Sequence, residues 1–154
     1  MSIRANLGDY SSIVCFKALV VGAEEALGPA AAGVTLKAAG RKRGKALVKS
    51  LGLSGSKTDP ASLATTLDTA LGVNGTKLCT VNEVARTENG GYVVRLSETI
   101  CSAGEPQGSE RQLTFTLGAI HGAVEEIYEV KLRGKQTESV LRGGKFDSIT
   151  LEPA

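Results

Sequence analysis

The sequence predicts an α+β fold: three helices, a β-hairpin, a fourth helix and a second β-hairpin, with an antiparallel sheet packed on the helices. Three observations carry this. Apolar residues recur at helical spacing through the first 72 residues. After Gly75 the period shortens to alternation. Glycine turns, Asn89-Gly90-Gly91 and Gly143-Gly144, then separate β-like runs in pairs.

In YSSIVCFKALVVGAEEALG, residues 10–28, Ser11 or Ser12 can cap a helix that Gly28-Pro29 stops. Almost every position from Ile13 to Val21 is apolar, so this helix needs more than one neighbour, and a second subunit is one candidate. Residues 30–52 form a second helix in which Gly33, Gly40 and Gly44 each cost about 1 kcal/mol against Ala. Close packing would offset that cost. SGSKTD is a loop, and Asp59 caps a third helix with Pro60 at its first position. KLCTVNEVART (77–87) and YVVRLSETI (92–100) read as strands around the 88–91 turn, and SAGEPQGSE as a surface loop. Residues 111–130 are the fourth helix; TESVL (137–141) and FDSITLEP (146–153) pair across RGGK. No repeat or long linker divides the chain, so one domain is expected over 1–154, with its core at about 10–152.

Composition narrows the function. The 154 residues are 42% hydrophobic and 22% charged, which is globular rather than disordered. With three Tyr, three Phe and no Trp, an aromatic platform for stacking bases is not expected, and a net charge of +2 calls for no polyanionic partner such as nucleic acid. Cys15, Cys79 and Cys101 make no CxxC and a single His cannot complete a zinc site, so no metal is expected. A reducing, cytoplasmic setting fits these thiols, with Cys15 reading as a small buried hydrophobe. The N-terminus shows no secretory signal, and no run approaches the roughly 20 apolar residues of a membrane span. Contact with a membrane would be peripheral at most.

In LTFTLGAIHGAVEEIY, residues 113–128, Leu117, Ile120, Val124, Ile127 and Tyr128 fall on one arc at about 100° per residue. His121 sits at the edge of that arc, and Gly118 and Gly122 open a side-chain-poor groove beside it. The functional reading places a ligand in the groove, such as a tetrapyrrole whose metal His121 would bind. The plainer reading, which we favour from sequence, is a boundary histidine bonded to a backbone carbonyl while the glycines admit a strand or helix. A lone histidine lacks the companions that catalysis needs. Cys101 is a candidate reactive thiol or attachment point for a bilin or acyl group, against the plainer reading of an inert thiol at a strand end. The cluster Arg41, Lys42, Arg43, Lys45 and Lys49 reads as a solvated face before it reads as an anion site. LGLSGSKTD lacks phosphate-loop spacing, Glu24-Glu25 and Glu125-Glu126 are not matched acid/base pairs, and no catalytic residues are assigned.

AAGRKRGKALVKSLGL in the second helix resembles the G-R-x-x-G-x-x-L region of the 4-vinyl reductase domain family. TFTLGAIHGAVEEIYEVKLRGKQTESVLRGGKFDSITLEP resembles that family's C-terminal half: a helix with G-x-x-x-G, a strand near Glu-Ser, a glycine turn and a final strand. The likeness covers most of residues 10–152. It implies the fold shared with TRAPP vesicle-tethering subunits, often dimeric through the N-terminal helices. It also implies a hydrophobic small-molecule ligand and, for some members, a place in pigment metabolism or photosystem assembly. The cysteines that many members carry in the last hairpin are absent; Leu141 and Ser148 stand near those positions.

The expectation is therefore a non-enzymatic accessory protein, of cyanobacterial type and peripheral to a photosynthetic membrane. It would hold a tetrapyrrole or lipid-like molecule between the fourth helix and the sheet. Leu117, Gly118, His121, Gly122, Val124 and Tyr128 would line the site, with Cys101 near its mouth. The alternatives are a dimeric scaffold without a small ligand and, more weakly, a vinyl reductase, for which no nucleotide-binding fingerprint is present.

Overall fold

Helices α1 (Ile13–Leu27), α2 (Pro29–Ser50) and α3 (Pro60–Leu71) come first, then β1 (Thr80–Arg86), β2 (Tyr92–Ser97), α4 (Phe115–Tyr128), β3 (Leu132–Glu138) and β4 (Asp147–Pro153). They are seen in a computed structural model that describes residues 3–10 and 12–154. The four strands form one antiparallel sheet in the order β1-β2-β4-β3. This is the expected α+β architecture.

Alternation decides which sheet face is covered. Val81, Val84, Tyr92, Val94, Leu96, Ile149, Leu151 and Leu132 are buried, whereas Glu83, Arg133, Lys135 and Thr137 point to the open face. Helix α3 lies on β1, and α4 lies on β3. Asp68 of α3 accepts the Val81 amide hydrogen at 2.9 Å, which pins helix to strand beside a register shift at Val81–Glu83. Asp59 caps α3 as expected, accepting from the Ser62 amide at 3.0 Å, and Pro60 follows it. In the first hairpin Asn89 closes the turn by accepting from the Gly91 amide.

Helix α1 starts after Ser12, which makes no side-chain cap bond; Ser11, the other expected cap, lies outside the described residues. Only one side of α1 is used. Phe16 meets Phe115 edge-on at 4.9 Å, Lys17 donates to the Cys101 carbonyl and pairs with Glu105, Val20 is fully buried, and Glu24 pairs with Arg111. The opposite side, including Val14 at 74% and Leu19 at 62% exposure, is not covered by any of the described residues. Cys15 shares that side, and the expectation that it is buried is corrected: it is exposed, and Cys79 and Cys101 are the buried thiols.

The bounds of α4 and β3 also differ. Helix α4 begins at Phe115 rather than 111, because the Gln136 side chain takes the Leu113 amide and holds the preceding segment out of the helix. It ends at Tyr128 because Glu129 adopts a left-handed conformation, φ 54°. That early stop frees Leu132–Glu138 to be β3, where residues 137–141 were expected. Val140–Arg142 is instead a 3-10 turn, with Ser139 accepting from the Leu141 amide and Asp147 from that of Val140.

Candidate ligand-binding site

The expected site residues divide into three environments. Gly118 and Gly122 face α2. A Cβ on Gly118 would overlap the Lys37 carbonyl oxygen, and one on Gly122 that of Arg41. The match is reciprocal, since a Cβ on Gly40 would overlap the Phe115 carbonyl and one on Gly44 that of Ala119. Two G-x-x-x-G faces thus interlock backbone to backbone, close enough for weak Cα–H···O contacts. The side-chain-poor groove is filled by α2, and the four glycines serve a helix seam.

Leu117, Val124 and Tyr128 lie on the arc buried against the sheet. Tyr128 stacks on Tyr92 with centroids 4.6 Å apart, donates to the Thr58 carbonyl at 2.6 Å, and lies under the Arg86 guanidinium. Burial pushes its phenol up to about 12. Cys101 is 1% exposed, its Sγ 3.7 Å from the Thr114 hydroxyl. Burial, with Asp68 and Cys101 nearby, raises the Cys79 thiol to about 12, so it stays protonated and unreactive.

His121 sits at a polar node. Its Nε2 lies 2.9 Å from the Leu132 carbonyl oxygen and 3.2 Å from the Glu125 carboxylate, while Nδ1 lies against Gly134 of β3. A tetrapyrrole macrocycle has no room between ring and strand. The residue that organises this node is Glu125, which the sequence offered only as half of an unmatched acidic pair. Glu125, 3% exposed, accepts a bidentate pair from Arg41 at 2.6 and 2.9 Å, the Leu132 amide hydrogen at 3.0 Å, and Lys45 at 3.2 Å. Burial would raise its carboxyl. The Leu132 amide, Arg41, Lys45 and His121 together outweigh burial and hold it below the ordinary carboxylate value. Lys49 pairs with Glu126, so three cations of the basic cluster reach carboxylates of α4 while staying in contact with solvent. The node is an ion-paired brace between α2, α4 and β3. Among the described residues no group of His, Cys, Asp and Glu could hold a metal ion.

Open apolar space lies on the other flank of α4. A groove of about 670 Å³ runs between the start of α1, the second half of α2, the end of α3 and the start of α4. Phe16, Leu47, Leu71, Leu78, Phe115 and Ala119 line it, with Tyr10, Ile13, Leu51 and Ala70 further out. Its size falls within the range of about 300–1,000 Å³ for small-molecule sites. No local pattern reveals it because four separate stretches, 9–16, 43–51, 69–78 and 115–119, build it; the one hint was that Phe16 and Phe115 are two of only three Phe. A hollow of about 520 Å³ beside Gln136, Glu138 and Arg142 is polar, and its Glu138 anchors a turn by accepting from the Lys145 and Phe146 amides and the Ser148 hydroxyl.

No protein-family model and no curated protein sequence matches the chain. Solved structures do. The phenol-responsive sensory domain of the transcription activator PoxR, solved with phenol, superposes with a TM-score of 0.71 at 11% identity, over 94% of this chain and 76% of that one. Subunit 3 of the trafficking protein particle complex from Naegleria fowleri, covalently bound to palmitic acid, gives 0.55 at 16% identity, over 93% and 97%. At these identities the likeness is one of fold: the helices and antiparallel sheet are arranged as in a TRAPP subunit.

Proposed function

We propose that the protein is a non-enzymatic binding module for a small hydrophobic molecule, held in the groove between α1, α2, α3 and α4. The observation that carries this reading is the continuous apolar lining from Phe16 and Phe115 to Leu47, Leu71 and Leu78, open to solvent and of ligand size. Two proteins of the same fold that hold phenol and palmitic acid support it. Membership of the 4-vinyl reductase family, a tetrapyrrole ligand, photosystem work and a reductase activity rest on the sequence resemblance alone, and His121 is not placed to serve such a ligand.

The test is a titration with 1-octanol followed by amide NMR shifts. Gly44, Gly75 and Ala119 at the groove are expected to move, and Ser50→Trp, an exposed lining position, is expected to weaken binding at least fivefold. Binding that leaves those amides unmoved, or that Ser50→Trp does not change, overturns the site.

A second reading has its own observation. Val14, Cys15, Ala18 and Leu19 form one exposed face of α1 by their spacing. A second copy of the chain packed on this face would make a homodimer through the N-terminal helices.

A further inference from the structure

The groove contains a charge, that of Arg43, which has no ion-pair partner among the described residues. Of the residues lining it, Asp9 and Arg43 are charged. Asp9 is engaged locally, accepting the amide hydrogens of Ile3 at 2.7 Å and Arg4 at 3.1 Å. Arg43 differs from its neighbours on α2. Arg41 and Lys45 turn to Glu125 and Lys49 to Glu126, whereas Arg43, on the groove side, makes no ion pair or side-chain hydrogen bond among the described residues. Apolar walls with one unpaired guanidinium at the margin have an amphipathic complement. We propose that the groove's ligand is an amphiphile with an apolar body and a carboxylate head, the body resting on Phe16, Leu71 and Phe115 and the head meeting Arg43. This inference rests on the groove being the binding site and adds the ligand's chemical class.

Guanidinium chemistry suits that head, because its planar fork donates two parallel hydrogen bonds to a carboxylate. Charge complementarity also sets what is excluded. At Arg43 a cationic head would meet like charge and a neutral one would leave the guanidinium in water with no gain; Asp9, the other charge on the lining, already accepts the Ile3 and Arg4 amides. Because Arg43 is exposed, the preference is modest and sensitive to salt.

The experiment uses the full chain and two probes with the same tail, octanoate and 1-octanol, titrated by amide NMR at neutral pH and low salt. The expected result is that octanoate binds about threefold to fivefold more tightly than octanol, the range that an exposed ion pair supplies. Arg43→Gln is expected to bring the two affinities together, Arg43→Lys to keep part of the difference, and raised ionic strength to shrink it. Ser50→Trp is expected to weaken both probes alike. Equal affinities in the unaltered protein, or a preference that Arg43→Gln leaves intact, overturn the carboxylate inference while the apolar site stands. If neither probe moves the groove amides, the site itself is overturned. Position 43 is exposed, so unfolding midpoints of the variants are expected to match the parent.

Discussion

Glu125 shows what one buried charge does in this protein. Its carboxylate ties α4 to α2 through Arg41 and Lys45 and to the first residue of β3 through the Leu132 amide. Glu125→Gln keeps a neutral acceptor for that amide but weakens the charged bonds, and a loss of about 1.5–3 kcal/mol of unfolding free energy by denaturant titration is expected. Its pH behaviour has a definite sign. The folded carboxyl is held below its ordinary value of 4.5, so its contribution is complete above that pH and is lost as pH falls through the lower, folded value. Glu105, bonded to Lys17, and Glu138, bonded to the Phe146 amide, are held low too and add to the same acid limb. Stability measured from pH 6 to pH 3 should therefore fall, with a shallower slope in Glu125→Gln; parallel curves would contradict this. The role was not legible in the sequence, where Glu125 looked like half of an idle acidic pair. Arg41 is 84 residues away, and no local pattern records such a partner.

At the scale of elements, spacing told more. The glycines of α2 and α4 announced a close approach, but their sequence did not say to what. A ligand, a strand and a helix all ask for the same missing side chains. Structure distinguishes them, and substitution checks the answer. In an exposed helix Gly→Ala stabilises by about 1 kcal/mol. Gly22 on α1 has open space at its Cβ position, so Gly22→Ala should raise stability by roughly that amount. Gly118→Ala should do the reverse. It collides with α2 backbone that has no rotamer to yield, and a loss of at least about 2 kcal/mol is expected in thermal or denaturant unfolding. Opposite signs for one chemical change would establish the seam; equal signs would refute it. Strand β3 escaped detection for a physical reason as well. Its outward residues Arg133, Lys135 and Thr137 are polar, and its inward position 134 is a glycine packed beneath Leu117 and His121, so the alternation shows few apolar residues.

For the whole molecule, the thiols report how its layers are covered. Cys79 and Cys101 lie inside, and Cys15 lies on the bare side of α1. Titration of the native protein with a thiol reagent at low concentration should modify one cysteine quickly and the other two only on unfolding. If two copies join through α1, Cys15 should become protected as concentration rises, in step with the sedimentation coefficient, and Leu19→Glu should abolish both changes. Reactivity independent of concentration would leave that face without a partner copy. The α+β order was readable because helical and alternating periods each persist over whole elements, β3 excepted. The groove was not, because its lining comes from segments as far apart as Tyr10 and Ala119.

The glycine seam also bears on motion. Two helices whose backbones touch along both G-x-x-x-G faces cannot part without losing the whole contact, so α2 and α4 move as one rigid wall. The floor of the groove is thereby fixed. Of the groove's other borders, α1 meets that wall through Phe16 on Phe115 and the Gly28 corner, φ 81°, while its ion pairs, Lys17 with Glu105 and Glu24 with Arg111, reach the loop before α4. If the groove takes a guest as proposed, the fixed shape of that wall would set which guests fit, and the borders outside the seam, α1 and the end of α3, would set how they enter.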